Sequence, residues 1–213
     1  MTVWTPSLRV GGGMTVLGGL FVALVGVPSR WFGPQPTDSY VFDPPLFSSL
    51  WVERTVIPVV AVAATLLLLV GLLSLLWRDR ESLARWQRWF AAIGVVGAAI
   101  VALGTMLVMS TQGVATDDIT SAMNVLIGVA LGLLGVVLLF PSLMAWGVGY
   151  LRDDHRRLGA ALVGGPLVSG VFVAVDMAAG VSFEPLGGLV VLLPLSVAAL
   201  VVGVDLWERP SRG

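Results

Sequence analysis

Apolar positions along the chain gather into six long runs, separated by short polar connections. The runs cover about residues 10–27, 55–77, 90–109, 122–146, 158–179 and 186–206. A helix needs about 20 apolar residues to cross the ~30 Å hydrocarbon core of a bilayer. Backbone groups inside that core find no water, so a spanning segment of this length has to be helical. The pattern therefore predicts an all-α integral membrane bundle of six transmembrane helices. All of it belongs to one membrane domain, and no connection is long enough to hold a soluble domain.

The first run is short and rich in glycine, with Gly11, Gly12, Gly13, Gly18, Gly19 and Gly26. A cleaved leader is the competing reading of that run, but its apolar stretch is long for one and lacks a small-x-small cleavage site. The second run is almost pure leucine over residues 65–70, with Pro58 in its first turn, where proline costs little. Small faces follow on the third run (Gly94, Ala98 and Ala102, then Gly97 and Gly104) and on the fourth (Gly128 and Gly132). Small residues let helix backbones approach closely in lipid. Pro141, Pro166 and Pro194 interrupt the last three runs.

The longest connection, 28–54, carries five prolines and six aromatic residues. Its composition suits the headgroup zone. Within it, Asp43 followed by Pro44 reads as the start of a short amphipathic helix.

Charge adds an orientation. The chain has twelve arginines and no lysine. Arg9, Arg78, Arg80, Arg85, Arg88, Arg152, Arg156, Arg157, Arg209 and Arg212 fall on one side of the implied membrane, against six acids. Arg30 and Arg54 fall on the other side, against seven acids. Cytoplasmic loops retain arginine, so both termini are expected in the cytoplasm and the 28–54 loop outside the cell membrane. On the cytoplasmic side Arg78, Arg80, Arg85, Arg88, Arg152, Arg156 and Arg157 are expected to contact anionic headgroups. Nucleic-acid binding is not expected, because the basic segments are short and held at the membrane.

Chemistry-bearing residues are few. No cysteine occurs, and His155 is the single histidine. Thiolate sites and cysteine nucleophiles are excluded, and imidazole-held zinc or haem is not expected. No cofactor is implied. Ionisable residues within spans are functional candidates by default. The foremost is Asp176, near the outer end of the fifth run, and Asp205 near the inner end of the sixth ranks below it. Asp176 is expected to turn inward and meet Asn124, Thr111 or Gln112 in a polar site. Asp117, Asp118 and Glu184 would add an acidic outer mouth. The competing reading is an acidic outer surface.

The arginine-only basic set, together with acidic outer loops, resembles the composition of small multi-pass membrane proteins of halophilic archaea. A GC-rich actinobacterium would give a similar composition. The resemblance is one of composition and carries no motif.

One internal match bears on function. Met14–Gly19 can be laid on Met123–Gly128, and Pro58 on Pro166 at nearly the same offset. Three spans per half would make this a 3+3 inverted repeat, an arrangement found in transporters. The reading favoured on sequence is a small permease-like unit without enzymatic activity. The alternatives are a structural or partner subunit of a larger assembly, including a homo-oligomer, and then an interfacial lipid-modifying enzyme. A polar cavity holding Asp176 and Asn124 would favour transport. A dry core with one apolar groove left open would favour a subunit. A carboxylate pair with a metal would favour an enzyme.

Overall fold

The computed structural model describes residues 8–28, 31, 51–111, 119–153, 155–179 and 186–208. Among these there are six long helices and no strand. They are α1 (Leu8–Gly26), α2 (Val52–Asp79), α3 (Arg85–Ser110), α4 (Ile119–Arg152), α5 (Arg156–Ala179) and α6 (Gly187–Glu208). All six are long and apolar enough to span a membrane. The Asp43–Pro44 helix start lies outside the described residues.

The helices succeed one another around a closed ring. Each packs on its neighbours in sequence, and α1 packs on α6. Two of these contacts are the most extensive, α3 with α4 and α1 with α6. Both are built on reciprocal glycines. A Cβ added to Gly97 would meet the carbonyl oxygen of Gly135 at 2.9 Å, and one on Gly135 would meet that of Gly97 at 2.8 Å. Gly104 and Gly128 stand in the same relation one span-half further along, as do Gly12 and Gly203 between α1 and α6. Lipid tails are as apolar as leucine, so close backbone approach replaces the hydrophobic effect as the source of helix association. On α1 the glycines serve two partners. Gly12, Gly19 and Gly26, seven residues apart, face α6, while Gly11 and Gly18 face α2.

One end of the bundle carries the arginine-rich turns and is called the basic end below. The buried core sits there. Leu75, Ala91, Leu143, Trp146, Leu158 and Leu206 converge from α2 to α6, and Leu8 of α1 packs against them. Trp146 is 0% exposed. Toward the far end the packing thins. From Val171 to Ala178 every residue of α5 is exposed except the half-buried Phe172. Ile119 at the far end of α4 is 82% exposed, and Met123, Leu126, Leu133 and Val137 continue an apolar exposed face.

Helix α5 has three zones. Its first third is zipped to α4 through Gly159 and Gly147. Its middle packs on α6, where Gly165 meets Ala198 and the Ser169 hydroxyl donates to the Val191 carbonyl at 2.7 Å. Its last third lies exposed beside both.

Two helix ends differ from the sequence pattern, each for a physical reason. The α4 helix runs six residues past Trp146, to Arg152. Gly147, Gly149 and Tyr150 were expected in a solvated turn but are buried. Gly147 admits α5, and Gly149 lies against the Gln87 amide of α3. The α2 helix begins earlier than expected, with a π-helical turn over Val52–Val56 closed by the Ile57 N–H on the Val52 carbonyl. Pro58 follows in the first turn of the α-helical stretch Ile57–Asp79, as expected, and having no N–H it leaves that junction without a regular i→i−4 bond.

Candidate functional site

The densest polar cluster joins three helices at the basic end. Arg78 and Asp79 are consecutive at the end of α2, so their side chains leave the helix about 100° apart. The Arg78 guanidinium binds Asp79 through two bonds, Nε to Oδ1 at 2.7 Å and Nη2 to Oδ2 at 2.8 Å. Its third nitrogen, Nη1, donates to Asp205 Oδ2 of α6 at 2.8 Å and reaches the Asp205 carbonyl at 3.4 Å. From α4, the Tyr150 hydroxyl donates to Asp79 Oδ2. The side chains of Arg78, Asp79 and Asp205 are 8%, 15% and 12% exposed. Paired, charge-assisted bonds of this kind are the strong ones, and withdrawal from water limits their screening.

Local structure holds the cluster in place. The backbone N–H groups of Ser82 and Leu83, and the Ser82 hydroxyl, all donate to the Asp79 carbonyl, closing the turn between α2 and α3. At the start of α3, Gln87 accepts from the Ala84 N–H at 2.7 Å. Tyr150 is flanked by Trp146 and His155, each with ring centroids 6.1 Å away. The Trp146 indole N–H makes no hydrogen bond, alone among the fully buried side-chain polar atoms described.

A second feature lies at the far end. A cavity of about 280 Å³ opens between α1 and α2, lined by Leu24, Val25, Trp51, Val52, Val56, Ile57 and Val60. Every lining side chain is apolar, and two of the residues belong to the π-helical turn.

Among the described residues the expected polar site is not brought together. Asp176 is exposed on the last third of α5 rather than turned inward. No hydrogen bond among the described residues joins it to Asn124 or Thr111. Asn124 is half-buried on the far half of α4. The Thr111 hydroxyl donates to the Val108 carbonyl of its own helix at 2.7 Å. Asp176 lies on the last third of α5, where every described residue from Val171 to Ala178 except Phe172 is exposed. Gln112, Asp117, Asp118 and Glu184 lie outside the described residues.

Arg78 also departs from expectation. Its guanidinium is taken up by two carboxylates and is withdrawn from headgroups. Arg80, Arg85, Arg88, Arg152, Arg156 and Arg157 are exposed at the basic end. Arg80 stacks 4.4 Å over the Trp77 ring. Trp77, Trp86, Trp89 and Trp207 are exposed around the same rim.

Sequence reasoning passed over Asp79, Gln87, Trp146 and Tyr150. A usable signal was present for Asp79. Arg78-Asp79 ends one apolar run and Asp205 ends another, so opposite charges sit at one depth. Chemically the cluster is an ion-pair network: one guanidinium bridges two carboxylates, and a phenol donates to one of them. Among the described residues no group of three or more side chains could hold a metal ion. Comparison with known proteins finds no matching family, no similar curated protein and no similar solved structure.

Proposed function

We propose that this chain is a non-enzymatic, multi-pass subunit of the cell membrane, built to pack its far half against another membrane component. One observation carries the reading: an apolar core packs the bundle at its basic end, while α4 and α5 expose apolar side chains toward the far end. The described cavity is apolar as well. A dry core with an apolar groove is the arrangement that separates a subunit from a solute carrier.

The arginine asymmetry of the sequence supports a cytoplasmic basic end and cytoplasmic termini. The exposed arginines and tryptophans of the rim fit the inner-leaflet headgroup zone, where each arginine adds attraction to anionic lipid. The test is isolation in native-lipid nanodiscs followed by mass measurement. The expected result is a stoichiometric particle larger than one 22.4 kDa chain, containing a second copy or a second membrane polypeptide. A lone chain that gives saturable solute flux in proteoliposomes would overturn the reading.

A permease-like unit is the second reading, favoured by the contrast between a closed basic end and a looser far end. The ring order counts against its inverted repeat. A half-turn about an axis in the membrane plane reverses the sense in which helices succeed one another around a ring. Carrying α1–α3 onto α4–α6 preserves that sense. A half-turn about the membrane normal preserves it too, but leaves each helix direction unchanged, while α1 and α4 run oppositely.

A further inference from the structure

We propose that the Asp205–Arg78–Asp79–Tyr150 network is a releasable latch between two rigid halves of the bundle. The halves follow from the glycine contacts. α1 and α6 form one unit, in which Gly12 and Gly203 bring the backbones together. α3 and α4 form the other, through Gly97 with Gly135 and Gly104 with Gly128. Backbones that touch at glycine have no side chains to rearrange, so each pair moves as a body. The two units join through α2 on one side of the ring and α5 on the other. α2 packs on α1 throughout, and its contact with α3 is the least extensive in the ring.

The network spans that weak seam. Arg78 and Asp79 share one helix end, yet one reaches each half: Arg78 binds Asp205 on α6, and Asp79 accepts from Tyr150 on α4. A buried ion pair adds little net stability over an apolar substitute of the same shape. What it supplies is one defined arrangement, lost all at once when a member is removed. Toward the far end the last third of α5 is largely exposed, with Phe172 half-buried. At the basic end the network is thus the polar tie between the two bodies, beside the apolar core to which Leu143 and Leu206 contribute from either side. Release of the latch lets the basic ends of α4 and α6 part while the glycine-zipped pairs stay whole. The inference goes beyond the proposed function and holds whether the bundle serves a partner or a solute.

The chain lacks cysteine, so two introduced cysteines give clean spin-label pairs. One pair, Arg152→Cys with Glu208→Cys, reports the basic ends of α4 and α6. A second pair, Met123→Cys with Leu193→Cys, reports the far half of the same helices. Distances are measured in lipid nanodiscs for the parent, Asp205→Asn and Tyr150→Phe. The parent should give one narrow distance at the basic end. Each variant should add a population longer by about 5 Å or more, the scale of a one-turn shift. Its share should rise at least about tenfold, as expected on losing one charge-assisted hydrogen bond. The far-half distance should stay the same or shorten. Tyr150→Phe keeps volume and both ion pairs, so it decides the matter even if Asp205→Asn does not fold. Unchanged distances in the folded variants would overturn the latch, and so would equal lengthening at both ends.

Discussion

The two ends of this bundle are built from the same apolar vocabulary and are held by different means. At the basic end, large side chains interdigitate from all six helices and a buried ionic network crosses between them. Toward the far end the contacts are of small residues, as between Gly104 and Gly128 and between Gly26 and Gly188, with the Ser169 hydroxyl on the Val191 carbonyl joining α5 to α6. The difference teaches where specificity comes from in lipid. Apolar side chains gain nothing from one another that lipid does not offer, unless they fit. Fit and polarity are concentrated at one end, and that end defines the arrangement of the whole.

The largest expected effect tests the tighter end. Trp146→Ala should cost about 3–5 kcal/mol, the range for emptying a large buried site. Reversible unfolding in mixed micelles measures it, with Met177→Ala, at an 82% exposed site of α5, as the control near zero. Equal losses at the two positions would erase the contrast between the ends.

A smaller effect sharpens the distinction between fit and filling. Gly97→Leu should destabilise by about 1–3 kcal/mol through overpacking, because its Cβ would sit 2.8 Å from the Leu139 nitrogen. Gly132→Leu is its partner experiment. No atom lies within 4 Å of a Cβ built there, so the change should stay within about 0.5 kcal/mol. The same unfolding assay ranks the two, and a costly Gly132→Leu would mean that this face is occupied.

Orientation is a yes-or-no result. A cysteine placed at Thr37 or Ser39 should react with an impermeant reagent on intact cells, and one at Ser82 should not. Labelling at Ser82 alone inverts the assignment of the two ends.

The smallest effect concerns Asp176. Its exposure predicts that Asp176→Leu leaves stability within about 0.5 kcal/mol of the parent. A loss above about 1 kcal/mol would show that Asp176 has a buried partner in the membrane.

The six spans were legible because hydropathy reports what must avoid water, residue by residue. The six helices overlap the six runs and extend furthest past them at the start of α3, from Arg85, and at the end of α4, where Gly147 and Gly149 admit neighbours. The glycine faces were legible as places of close approach, but their partners were not. Gly128 reads as small without saying that it meets Gly104. The polar site failed for the same reason. Asp176 stood out because it lies within an apolar run, whereas Asp205 and Asp79 matter through a guanidinium on another helix. Pairing across helices depends on ring order, which a one-dimensional pattern does not contain. Arg78 shows the cost most plainly, since loop position assigned it to headgroups while its geometry gives it to two carboxylates.

The contact between α1 and α6 has a consequence in time. Of these six helices α1 leaves the ribosome before the others, and it has a glycine face shaped for α6. Until α6 arrives, Gly12, Gly19 and Gly26 form an unfilled groove, and some 160 residues of chain pass through the insertion machinery in the interval. The α3–α4 pair, by contrast, can close as soon as its short connection is made. Assembly is thus ordered by topology: a hairpin nucleus forms in the middle of the chain, and the seam that completes the ring is sealed last. A defect in α6 would therefore be felt at the opposite end of the sequence, as a first helix left without its mate.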